Sequence, residues 1–224
     1  MLFERLLYLS VSGVPSTNNF LYAWGDDSIS ELGDSDYLVV KSSQIQIGSS
    51  AWKQIEAGNN FTLGLKTDGT LWAWGSNFYG QLGISEGVTD TSTLSVINST
   101  PSWTKISSSS AGHTLALKSD GSLYGWGDNT YGQLGLGSTF NSTIIDKPIK
   151  IGTSSWTAIA AGGSGNGAGF SLGILTTGAL YAWGINSSGQ LGDGSIFSRS
   201  SPVKIGTSSW IAIAAGSGHS MGIL

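Results

Sequence analysis

The chain has 224 residues, among them 34 Gly and 9 Trp, with 11% charged residues, no Cys and a formal net charge of −4. Ten basic residues that form no run argue against a phosphate-tracking surface, because nucleic-acid binding needs clustered Lys and Arg. The lack of Cys excludes disulfides, thiolate metal sites and a cysteine nucleophile, and the Gly-rich, Trp-rich mixture suits short strands and tight turns rather than helices.

Residues 1–19 read as an N-terminal extension, and 20–224 as one repeat domain. Leu6-Leu7-Tyr8-Leu9 follows Glu4 and Arg5, without the positive start, longer apolar run and small-residue cleavage site of a secretory signal. Leu6 to Val11 could form one extra strand. No apolar stretch approaches the roughly 20 residues of a membrane span.

From Leu21 onward one pattern recurs. Leu21-Tyr22-Ala23-Trp24-Gly25 returns as Leu71 to Gly75, Leu123 to Gly127 and Leu180 to Gly184. The spacing of Trp24, Trp74, Trp126 and Trp183 sets a period of about 50 residues, that of a four-stranded propeller blade. Each aromatic strand leads to a turn: Glu31-Leu32-Gly33, Gln81-Leu82-Gly83, Gln133-Leu134-Gly135 and Gln190-Leu191-Gly192. Gly80, Gly132 and Gly189 precede the Gln in three copies, and Ser30 takes that place in the first, which predicts a distorted turn there. Edge strands are expected at Gln44–Ile47, Leu94–Ile97, Ile149–Ile151 and Val203–Ile205.

A third signature, Trp-x-x-Ile, stands at Trp52, Trp103, Trp156 and Trp210. It is followed by strands alternating large and small residues, such as Phe61-Thr62-Leu63-Gly64-Leu65 and His113-Thr114-Leu115-Ala116-Leu117. Period-two alternation places the small residues on one face, which predicts close approach of a neighbouring blade's backbone. Asp68-Gly69 and Asp120-Gly121 close hairpins back to the aromatic strand. The eight tryptophans of the two signatures, Trp24, Trp74, Trp126, Trp183, Trp52, Trp103, Trp156 and Trp210, are the predicted blade core.

Few residues invite a chemical reading. His113 and His219 occupy the position held by Phe61 and Phe170, so the position asks for a ring, and no third ligand stands in register for zinc. Gly162 to Gly169 lacks the spacing of a phosphate cradle and reads as a flexible inserted loop. Asp26-Asp27, Ser76-Asn77, Asp128-Asn129 and Ile185-Asn186 fall at one turn position, where Asx side chains bond backbone. Asn98, Asn141 and Asn186 begin glycosylation sequons, which matter only in a eukaryotic secretory pathway. With two structural-looking histidines, nucleophilic catalysis lacks its base, and the chain is read as a non-enzyme with no cofactor and no metal site.

The unit resembles the regulator of chromosome condensation repeat, which carries the same Leu-Tyr-x-Trp-Gly and Gly-Gln-Leu-Gly elements. It is nearest to short Gly- and Ser-rich versions in bacterial surface and bacteriophage virion proteins. That resemblance implies an all-β β-propeller, here about four four-stranded blades, where a full ring of the family has seven. The chain enters on an aromatic strand and leaves on an alternating one, so N- and C-terminal strands are expected to share one blade. The function expected is a non-catalytic structural or interaction module, whose propeller surface binds a protein or glycan partner, in a virion or extracellular setting. Self-association through the terminal strands is the further expectation, with no nucleic-acid or membrane partner. The alternative implied by the family is a guanine-nucleotide exchange factor or regulator of a small GTPase, although the basic loop and tail used on nucleosomes have no counterpart here.

Overall fold

The computed structural model describes residues 19–36, 40–84, 90–98, 100–137, 143–165 and 167–224. The expected extension at 1–18, with its strand at Leu6–Val11, lies outside these residues. Sixteen strands and no helix make up the described chain. The strands form five antiparallel sheets, three of four strands and two of two.

The first half-sheet pairs β1 (Leu21–Asp26) with β2 (Val40–Ile47). Blade I comprises β3 (Trp52–Ala57), β4 (Phe61–Lys66), β5 (Leu71–Ser76) and β6 (Asp90–Asn98), hydrogen-bonded in chain order. Blade II repeats it with β7 (Trp103–Ser108), β8 (His113–Lys118), β9 (Leu123–Asp128) and β10 (Ile144–Lys150). Blade III consists of β11 (Trp156–Ser164), β12 (Ala168–Leu175), β13 (Ala179–Gly184) and β14 (Arg199–Ser209). The final half-sheet pairs β15 (Ala212–Ala215) with β16 (Ser220–Ile223).

The expected sharing of one blade by the termini is not what the chain adopts, since β1 and β16 sit in separate sheets. The first half-sheet supplies the outer two strands of a blade, and the last supplies the inner two. Three complete blades therefore lie between two complementary halves.

Within each complete blade the two tryptophan signatures meet. Trp52 packs edge-on to Trp74 at 5.8 Å, Trp103 to Trp126 at 6.1 Å, and Trp156 lies 5.7 Å from Trp183. All six are buried, and such pairs add roughly 0.5–1.5 kcal/mol to the area that they bury. The expected burial of Trp24 is corrected: it is 53% exposed, and among the described residues no strand lies beside β1 on that edge. Trp210 is only half-buried, for the corresponding reason.

The small residues of the alternating strands have two separate causes. A Cβ on Gly64 or Gly173 would collide with the ring of Trp52 or Trp156 in the same blade, so these glycines make room for an indole rather than for a neighbour's backbone. Thr62, Thr114 and Ser171 do face the preceding unit, and each donates its hydroxyl to a carbonyl there.

Candidate interaction surface

The junction between units is built by the turn after each aromatic strand. The side chain at the Asx position reaches five residues ahead: Asn77 Oδ1 accepts from the Leu82 N–H, Asn129 from Leu134, Asn186 from Leu191 and Asp27 from Leu32. The Gln of the turn accepts from the backbone two residues before it, as with Tyr79 N–H to Gln81 Oε1. Together these bonds fix the backbone so that the Gln carbonyl points outward to the next unit. There it accepts two donors at once. Gln81 O takes the Thr114 hydroxyl at 3.2 Å and Trp126 Nε1 at 2.8 Å; Gln133 O takes Ser171 at 2.7 Å and Trp183 at 2.8 Å. Glu31 O takes Thr62 and Trp74 in the same way. The following glycine lets the indole sit against the backbone: a Cβ on Gly83 would lie 2.7 Å from Trp126 Nε1.

The first turn is not distorted, contrary to expectation. Ser30 adopts φ 60°, as Gly80 does at 70°, and Gly33 N–H still reaches the Ser30 carbonyl at 3.3 Å. The repeat geometry here overrides the side chain's own preference. The acidic and amide residues at these turns are thus spent on backbone, and among the described residues no group of three or more His, Asp or Glu could hold a metal ion.

The two histidines differ in their surroundings. His113 is fully buried between blades II and III, with Nδ1 2.8 Å from Ser109 Oγ and Nε2 3.0 Å from Ser171 Oγ. Because Ser171 gives its proton to Gln133 O, it accepts from Nε2–H, and Nδ1 accepts from Ser109. Desolvation of the enclosed ring pushes its pKa down to about 3, so the imidazole is neutral. His113 is a ring in a packed position that also carries an interblade hydrogen-bond chain, a role that Phe could not fill. His219 lies over Gly216 as Phe61 lies over Gly58 and Phe170 over Gly162, but among the described residues its ring is exposed.

Gly162 to Gly169 is also corrected. Among its described residues the two sides pair as a lengthened hairpin rather than a loop, with Gly162 opposite Phe170 and Ser164 opposite Ala168. The Gly167 carbonyl accepts from Gln133 Nε2, which ties that tip to the preceding blade's turn. Among the sequons, the Asn186 amide is buried and donates to the carbonyls of Ser195 and Phe197, which leaves no room for a glycan. Asn98 and Asn141 offer no described side chain.

In each blade the links from first to second strand and from third to fourth lie at the same end. That end carries a cleft of about 210 Å³ between the first half-sheet and blades I and II, lined by Ile29, Asn59, Asn60, Phe78, Tyr79 and Ser110 among others. Phe78 is 73% exposed and stands edge-on to Tyr79 at 4.9 Å. Tyr131 and Phe197 are exposed in the corresponding links of blades II and III. Sequence reasoning missed this rim because the positions vary between copies: Phe78-Tyr79 corresponds to Thr130-Tyr131 and Ser187-Ser188. The variable, exposed positions of an otherwise strict repeat were the available signal.

These features define a repeat-built β-propeller scaffold with adaptable links. Models of the "Regulator of chromosome condensation (RCC1) repeat" match residues 68–117, 120–168 and 177–223, and in a second form 52–81, 103–133 and 156–190. The chain belongs to the RCC1-repeat family. It is 28% identical to the ultraviolet-B receptor UVR8 of Arabidopsis thaliana over 83% of this chain and 41% of the receptor. It is 30% identical to the probable E3 ubiquitin-protein ligase HERC4 of Homo sapiens over 83% of this chain and 17% of that protein. The solved structure of Prp20p from Saccharomyces cerevisiae, described with its binding properties to Gsp1p and histones, superposes with TM-score 0.78 at 22% identity. That match covers 91% of this chain and 51% of Prp20p. The chain thus spans less than half the length of these two curated relatives and about half of the solved one.

Proposed function

We propose that this chain is a non-catalytic protein-interaction module that binds a protein partner through the rim containing Phe78, Tyr79 and Ile29. The observation that carries this reading is an exposed aromatic pair beside a cleft, on links held by fixed turns. Aromatic anchors on a rigid scaffold are the usual source of interface energy. Supporting it, the relatives include an ultraviolet-B receptor, a probable E3 ubiquitin-protein ligase and a yeast protein described with its binding properties to Gsp1p and histones. The His113 hydrogen-bond chain is closed off from solvent and ends on a carbonyl, an arrangement that favours structure over catalysis. The low charge and Gly-rich composition support work in an assembly on a virion or extracellular surface, with the terminal strands making the contact between copies.

A photo-crosslinking phenylalanine placed at Phe78, and separately at Thr67 on the opposite end of the blade, tests the rim. Protein adducts from position 78 alone, lost when Ile29 and Tyr79 are both changed to Ala, are the expected result. Equal adducts from both positions, or glycan-array binding abolished by Phe78→Ala with no protein adduct, would overturn it.

A further inference from the structure

The turn that joins the first half-sheet to blade I carries a charge that the other turns do without. In the later turns the Gln side chain accepts from the backbone N–H two residues before it: from Tyr79 at 2.7 Å, Tyr131 at 2.8 Å and Ser188 at 2.9 Å. Glu31 stands at that position in the first turn and makes the same bond, its Oε2 accepting from the Ile29 N–H at 2.8 Å. An amide therefore suffices for the turn, and the carboxylate gives up a donor and adds a charge. Burial, and to a lesser degree Asp26 and Asp27, holds the Glu31 carboxyl above its ordinary value. Among the described residues no Lys or Arg pairs with it: Lys41 is held by Asp34 and Asp36, and Arg199 by Asp193.

That charge borders the aromatic cleft. At the junction of blades II and III the other atom of the Gln side chain, Gln133 Nε2, reaches the first-to-second link of the next blade at Gly167 O. The same link of blade I is Gly58-Asn59-Asn60, so the repeat geometry turns Glu31 Oε1 toward it. Asn59 and Asn60 line the cleft together with Ile29, Phe78 and Tyr79. Asn60 is held at φ 62° where blade II has Gly112 at 77°, so blade I places a side-chain amide where blade II has none. Phe78 takes the place of Thr130 and Ser187. Three departures from the repeat, a carboxylate, an amide and an aromatic ring, thus gather at one cleft. Elsewhere the chain sets its own cations against such rings: Lys66 Nζ lies 3.8 Å from the centre of the Trp72 ring and Lys118 Nζ 4.6 Å from that of Tyr124. Among the described residues no cation lies over Phe78 or Tyr79.

We infer that this cleft is a seat for the guanidinium of an arginine on the partner protein, with Glu31 as its counter-ion and Phe78 and Tyr79 as the rings against which it lies. The seat rests on the rim reading above and specifies the side chain that the rim receives. A guanidinium fits better than an ammonium, because its plane lies on a ring while its edge donates to a carboxylate and to amide oxygens, here those of Asn59 and Asn60. Pairing would also relieve the cost of a partly buried, unpaired carboxylate. The volume of about 210 Å³ is below the roughly 300–1,000 Å³ of small-molecule sites, so it holds one side chain of a larger partner. A metal ion fits poorly, since among the described residues no group of three or more His, Asp or Glu could hold one.

Nitrogen-15-labelled protein is titrated with N-acetyl-arginine methylamide and, separately, with the citrulline compound, which keeps the shape and loses the charge. The arginine compound should move the backbone N–H signals of Ile29, Asn59 and Tyr79, and citrulline should bind at least ~10-fold more weakly, the difference made by a charge-assisted pair. Glu31→Gln should weaken arginine binding at least ~10-fold while the thermal midpoint stays equal or rises, since Gln is what the three later turns carry. Phe78→Ala should weaken it by ~2–5-fold, the share of the ring contact. Equal binding of the two compounds, undiminished binding in Glu31→Gln, or no movement of these signals up to about 50 mM, above the millimolar range that one side chain supports, overturns the seat. Photo-crosslinked protein adducts at position 78 that persist undiminished in Glu31→Gln overturn the seat and leave the rim reading standing. Arginine binding with no protein adduct at position 78 overturns the rim reading alone.

Discussion

Blade II and the first half-sheet carry equivalent residues at equivalent positions, yet one is closed on both sides and the other on one. Trp126 is held by Trp103 beside it, by Gln81 O above and by Gly83 beneath, and is fully buried. Trp24 occupies the same place in its unit and stands half in solvent. The energy of this architecture therefore lies in the junctions, where a strand from one unit meets a turn from the preceding unit, and a unit at the end of the array contributes only the junction that it completes.

The largest effect expected from that contrast is at the tryptophans. Trp126→Ala should cost about 3–5 kcal/mol, because it leaves a cavity and strips a donor from Gln81 O. Trp24→Ala in the dilute single chain should cost less than ~1 kcal/mol, the range of surface positions. Urea unfolding followed by circular dichroism measures both, and equal losses would remove the distinction between closed and open junctions.

A smaller effect, and one that depends on pH, is expected at the junction of blades II and III. The His113 pKa lies near 3 in the fold against an ordinary value near 6.5, so on acidification the unfolded chain takes up a proton that the folded chain refuses. Stability contributed by the neutral ring is therefore complete above about pH 6.5 and falls as pH drops toward 3, at ~1.4 kcal/mol per pH unit. Between pH 7 and 4.5 the loss should be about 2–3 kcal/mol. Asp27 and Glu31, raised chiefly by burial, work in the opposite sense on acidification, so the comparison is with His113→Phe, which shares them. That variant should be less stable by about 1–2 kcal/mol at pH 7, since Ser109 loses its acceptor in a buried site, and should lose the acid slope. A slope unchanged in His113→Phe would show that another group titrates.

What the sequence made legible follows the same division. The repeat revealed its strands, hairpins and turn Gln because each complete unit repeats the same local conflict between bulky indoles and close backbones, and only a narrow set of residues resolves it. Val203–Ile205 sits inside the longer β14, and Gly162–Gly169 inside a hairpin, because strand extension depends on the neighbour's turn, which no local pattern encodes. The equivalence of His113 with Phe61 and Phe170 was visible, but not the two serines that meet its nitrogens, since Ser109 and Ser171 lie in different blades. The rim around Phe78 was hidden for the opposite reason: its residues are free to vary and form no pattern. Trp24 was misplaced because repeat position alone says what a residue would pack against, and not whether that neighbour is present.

The smallest expected effect separates the turns themselves. Gly80 and Gly132 hold positive φ and are also approached by the next unit: a Cβ on Gly132 would lie 2.6 Å from Ser200 Cα, and one on Gly80 would lie 3.0 Å from Asp146 Cα. Gly189 holds the same φ with nothing within 4 Å, since no further unit follows it in the described chain. Ser30 shows that a side chain can be carried at this φ, at a cost of roughly 1 kcal/mol for the left-handed conformation. Ser30→Gly should therefore stabilise the chain by about 0.5–1 kcal/mol, the gain in backbone freedom of the unfolded state taking back part of the relieved strain. Gly189→Ser should destabilise it by a similar amount, because the same two terms apply with opposite sign and no neighbour is displaced. Gly132→Ser should cost clearly more, since the Ser200 backbone must also move. Chemical denaturation of the three variants gives the order, and a Gly189→Ser loss as large as that of Gly132→Ser would mean that a neighbouring strand already covers the C-terminal turn in solution.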